Sequence, residues 1–107
     1  MTLQLESETY PMKVSELMIR NAMKGAPLLS QQAGGISLPR IQQFVDRLLA
    51  GEVAPAIKVD GAMIVDGNHR YIAARIAGLS VSIQPWAGGR PGNVVHWNSL
   101  RIDNNFW

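Results

Sequence analysis

Apolar and polar side chains alternate over residues 2 to 8, where Leu3 and Leu5 stand against Gln4 and Glu6. This period of two predicts a short, half-buried strand closed by Pro11. Ser15 then has the character of an N-cap, and Leu17, Met18 and Met23 follow as a helix that Gly25 and Pro27 stop. From Gly25 to Ser37 the chain is rich in Gly, Pro, Ser and Gln and reads as a loop. Its length exceeds the usual connection, which marks it as either mobile or functional. Past Ser37, a second cap followed closely by Pro39, the residues Ile41, Phe44, Val45, Leu48 and Leu49 recur at helical spacing. They predict the clearest amphipathic helix of the chain, ending near Gly51.

Two apolar runs follow Pro55, Ala56 to Val59 and Ala62 to Val65, separated by Asp60-Gly61. An Asp-Gly pair between strand-like runs predicts a tight hairpin with positive φ at both turn residues. After Gly67, a helix from about Asn68 to Ala77 should bury Ile72, Ala73, Ile76 and Ala77 on one face, with Gly78 as its C-terminal stop. Ser80 to Pro85 alternates as a strand, Gly88 to Gly92 is a flexible loop, and Val94 to Trp97 reads as a last strand. Leu100, Ile102 and the Phe106-Trp107 pair should dock on the body. Without repeats or linkers, the pattern is that of a small single α+β domain with a mixed sheet and three helices, spanning residues 1–107.

Composition supports a globular chain. Of 107 residues, 47% are apolar and 17% charged, with ten glycines and six prolines for turns. A formal net charge of +2 permits nucleic-acid binding without arguing for it. The absence of cysteine excludes thiol chemistry, disulfides and Cys-ligated zinc, and two histidines argue against a zinc site. Neither a membrane-spanning run nor a signal-peptide order is present, so the chain by itself is expected to be soluble. A domain excised from a longer exported protein would read the same.

The densest chemistry lies at the joint between the second hairpin strand and the next helix, Asp66-Gly67-Asn68-His69-Arg70. A helix N-terminus presents unpaired amides and the positive end of the helix dipole, a setting suited to phosphate. Gly67 allows close backbone approach, Asn68 is expected to cap the helix, and His69 and Arg70 to sit in its exposed first turn. Asp66 suits a divalent cation bridging phosphates, or the orientation of an attacking water. His69 is a candidate general acid or base, and Arg70 a fork for phosphate oxygens. The same run is also what an ordinary strand-to-helix turn looks like. His96 and the methionines Met12, Met18, Met23 and Met63 read as structural; Trp86 reads as core, with base stacking as its functional alternative. Glu16, Arg40 and Arg90 are further charged candidates near element ends.

The hairpin followed by Asp66-Gly67-Asn68-His69-Arg70 and an Ala-rich helix resembles the ParB/sulfiredoxin-like superfamily over about residues 38 to 85. In that family such a turn opens the nucleotide-phosphate-binding helix. The chain departs from two branches. Sulfiredoxins carry a catalytic cysteine where Asn68 stands, and chromosome-partitioning ParB proteins have Arg-Arg in place of His69-Arg70 and a helix-turn-helix domain. The turn is most similar to that of the ParB-like toxin domains of secreted polymorphic effectors. The resemblance implies an enzyme acting on phosphate bonds, by nucleotide hydrolysis, phosphoryl transfer or nucleic-acid cleavage. Asp66, His69 and Arg70 would be catalytic, Gly67 to Arg70 would hold ATP or a related nucleotide, and Asp66 would hold Mg²⁺. Such a toxin domain would travel within a larger effector, act in the cytoplasm and meet an immunity protein. The alternative is a non-catalytic nucleotide- or DNA-binding module, as in a partition or phage regulator.

Overall fold

The computed structural model describes residues 12–107; the strand expected over residues 2 to 8 lies outside them. Helix α1 (Glu16–Ala22) starts at Ser15, whose hydroxyl accepts from the Met18 amide at 3.2 Å. Strand β1 (Ile36–Ser37) runs straight into α2 (Leu38–Leu49), with Ser37 as both last strand residue and N-cap. Ile41, Val45 and Leu48 are the buried stripe of α2. The helix ends in a Schellman closure: Glu52 N–H donates to Arg47 and Gly51 N–H to Leu48, with Gly51 at φ +93°. Strands β2 (Ile57–Asp60) and β3 (Met63–Asp66) then form an antiparallel hairpin, and α3 (Asn68–Ala77) leads through Gly78 to β4 (Ile83–Pro85). Two short 3₁₀ turns and β5 (Ile102–Asp103) complete the described chain.

The order β3-β2-β4, antiparallel then parallel, makes a mixed sheet, and β1 pairs with β5 as a separate two-stranded parallel ladder. With three helices among the described residues the fold is α+β. One core joins the sheet and helices through Ile36, Ile41, Val45, Ile57, Ile64 and Ile72, all essentially solvent-free. Each such side chain contributes about 1.5–3 kcal/mol on burial. Met23 and Met63 are buried in keeping with their expected role.

Several local expectations are corrected. The hairpin loop is Gly61-Ala62, because Asp60 pairs with Met63; only Gly61 has positive φ, at +62°. Helix α3 buries Tyr71, Ile72, Ala73 and Ala74 in succession, whereas Ile76 and Ala77 are only partly covered. A one-sided stripe fails there because α3 lies between α1, α2 and the sheet. Residues 94–97 form no strand: Val95 makes a single bridge to Ser30, and Trp97 opens a 3₁₀ turn. Ser80 to Ser82 precede rather than join β4. Trp86 is half exposed, with the Lys58 ammonium 4.1 Å from its ring centroid. The loop from Gly25 is anchored: Leu29 adds to the free edge of β3 through two backbone bonds, to Ala62 and from Ile64. This anchoring sets Gln32 beside the start of α3.

No helix of the described residues is long and apolar enough to cross a membrane.

Candidate functional site

Gly67 creates the joint. It sits at φ +109°, and a Cβ there would meet Ile57 Cγ2 at 2.5 Å, so the chain can turn from β3 into α3 over the buried Ile57 only with glycine. Gly67 is also the N-cap, in the left-handed conformation, and no side chain among the described residues caps the helix. Its carbonyl accepts from Tyr71 N–H at 2.9 Å. The amides of Asn68, His69 and Arg70 consequently have no protein partner among the described residues.

Asn68 is therefore not the cap that the sequence suggests. It is buried at 5% exposure as the first helical residue, and its Nδ2 donates to Gln32 Oε1 at 3.2 Å. Gln32 is itself held, with its own Nε2 donating to the Gly35 carbonyl at 2.7 Å. Asn68 Oδ1 remains buried without a hydrogen-bond partner among the described residues. An unpaired buried acceptor costs about 1–3 kcal/mol, a cost that functional sites commonly carry.

His69 and Arg70 are likewise not the exposed pair expected of a first turn. Both are partly buried. The Ser37 amide donates to His69 Nε2 at 2.9 Å, and the Trp107 ring meets the imidazole edge-on at 5.2 Å. Burial, aided by the positive charge of Arg40, lowers the His69 pKa from 6.5 to about 4. At neutral pH the ring is uncharged, with Nε2 as acceptor and the proton on Nδ1. That state disfavours the general acid/base role and leaves His69 a hydrogen-bond donor through Nδ1. The Arg70 side chain is 17% exposed and pairs with Asp66 through Nη2 at 3.0 Å; its Nε is buried without a partner among the described residues.

These groups line a cleft of about 160 Å³ walled by Gln32, Arg40 and Phe44 on one side and by Asp66 through Arg70 on the other. All five residues singled out in the turn thus meet at one opening. Arg40, a candidate only by its charge, faces the cleft; Glu16 pairs with Arg20, and Arg90 lies on a separate loop held by Gln31. Gln32 and Phe44 are additions from elements distant in sequence. No family model, curated protein or solved structure matches the chain.

The donor set of the cleft favours an anion. Two guanidiniums, the free amides of α3 and the helix dipole converge where the lining side chains include one carboxylate. That carboxylate, Asp66, is occupied by Arg70, and the described residues hold no group of three or more His, Cys, Asp or Glu able to bind a metal. Mg²⁺ at such a site would arrive with the phosphates of a nucleotide.

Proposed function

We propose that the cleft between the N-termini of α2 and α3 binds the phosphates of a nucleotide, and that the domain is an enzyme acting on phosphate bonds. The observation that carries this reading is the uncapped start of α3 flanked by Arg40 and Arg70. Phosphoryl chemistry asks a protein chiefly to position groups and neutralise charge, and the two guanidiniums and free amides supply that. Asp66, two-thirds exposed at the mouth, would orient the attacking water or hydroxyl. His69 would donate from Nδ1 to a phosphate oxygen. The cleft is the size of a phosphate group or two rather than of a whole nucleotide, so sugar and base would lie outside it.

The effector-toxin setting, with an immunity protein as partner, belongs to this proposal on the strength of the turn's resemblance. Incubating the domain with a panel of nucleotides and nucleic acids, with and without Mg²⁺, and reading products by mass tests the chemistry. Cleavage or transfer of a phosphate bond that Arg70→Ala abolishes is the expected result. Expression in bacteria should arrest growth for the native domain and not for Arg70→Ala.

A second reading, a non-catalytic nucleotide- or DNA-binding module, is favoured by the engagement of both groups, since His69 Nε2 accepts from Ser37 and Asp66 pairs with Arg70. Salt-sensitive binding with no product in the same panel would select it.

A further inference from the structure

Beside the cleft, the last residues of the chain present two aromatic rings that the core does not absorb. Phe106 is 54% exposed and Trp107 41% exposed, yet the segment that carries them is firmly held. Ser37 Oγ donates to the Asn105 carbonyl at 2.8 Å, Asn105 N–H donates to Asp103 Oδ1 at 2.9 Å, and Trp107 Nε1 donates to Asp103 Oδ2 at 3.1 Å. The Asn105 amide, the Trp107 indole and Arg101 together hold the Asp103 carboxyl below the ordinary carboxylate range. Each ring touches a residue that lines the cleft. The Arg40 guanidinium lies over Phe106 at 4.8 Å and Arg40 Nε donates to the main-chain oxygen of Trp107, while Trp107 meets His69. Fixed rings, half exposed and one side chain from a phosphate-sized cleft, are what a nucleobase needs when its phosphates occupy that cleft.

We infer that Trp107 and Phe106 form the stacking platform for the base of the bound nucleotide. This inference rests on the phosphate reading and adds the part of the ligand that the cleft is too small to hold. Stacking on an aromatic face tolerates any base, so the platform gives affinity for nucleotides over inorganic polyphosphate, with larger purines favoured over pyrimidines. Arg40 links the two halves of the site, since the guanidinium that faces the phosphates is positioned by the tail.

Calorimetric titration of the full chain with inorganic tripolyphosphate, ATP and UTP separates the two claims. ATP should bind roughly 5- to 150-fold more tightly than tripolyphosphate, the range expected for one stacked base. That ratio should fall toward one in Trp107→Ala and in Phe106→Ala, and Trp107→Phe should keep most of it. Equal affinity for ATP and tripolyphosphate in the native chain overturns the platform and leaves the phosphate site standing. A ratio that survives in both alanine variants overturns it equally. If tripolyphosphate itself does not bind, the phosphate reading falls and the platform with it.

Discussion

The backbone amide of Ser37 donates to Nε2 of His69 at 2.9 Å. The residue that caps α2 thereby sets the tautomer of the imidazole in the first turn of α3, and two helix N-termini are locked side by side. The bond exists only while the ring is neutral, because a protonated Nε2 would face the amide as a second donor.

Stability should therefore depend on pH through His69. The folded pKa of about 4 lies below the ordinary 6.5, so between these values the unfolded chain binds the proton more readily. The stabilisation is fully present above about pH 6.5, declines as pH falls toward 4, and changes no further below that. Chemical denaturation at a series of pH values should show this loss, and His69→Gln should remove its share of the slope. An identical pH profile in the two proteins would contradict the assignment.

Glycine is required at Gly67 for two reasons and at Gly78 for one. Gly67→Ala adds a left-handed alanine and a clash with the fully buried Ile57, for an expected loss of about 2–5 kcal/mol. Gly78, at φ +72°, has nothing within 4 Å of its notional Cβ, so Gly78→Ala should cost only about 1–2 kcal/mol. Denaturation midpoints at constant slope measure the difference.

Local chemistry made much of this fold legible. Ser15 and Ser37 as caps, Gly51 and Gly78 as stops, and the stripe Ile41-Val45-Leu48 act within a few residues of where they stand. The candidate turn was legible for the same reason, because Gly67 needs positive φ and the next residues begin a helix. Long-range partners were not legible. Nothing near Asn68 announces that Gln32 draws it inward, nor near His69 that Ser37 and Trp107 enclose it. The β1–β5 ladder joins residues 36 and 102, a pairing that two-residue strands cannot signal. The one-residue shift of the hairpin loop follows from the Asp60–Met63 pair, which exists only once the register is set.

Asp66 and Arg70 offer a way to separate binding from turnover. Their ion pair at 3.0 Å engages the guanidinium that the phosphate would use. Asp66→Asn frees Arg70 and should tighten tripolyphosphate binding several-fold while abolishing any phosphate-bond cleavage, because the carboxylate that orients the nucleophile is gone. Calorimetry and product analysis on one preparation read both effects. Cleavage at the native rate in Asp66→Asn would remove Asp66 from the chemistry.

The most direct measurement is amide and guanidinium NMR of the ¹⁵N-labelled chain during titration with inorganic tripolyphosphate. Saturable shifts should appear at the Asn68, His69 and Arg70 amides and at Nε of Arg40 and Arg70, weaken with added salt, and disappear in Arg70→Ala. Saturable shifts centred elsewhere, or none at millimolar ligand, would contradict a phosphate site at the start of α3.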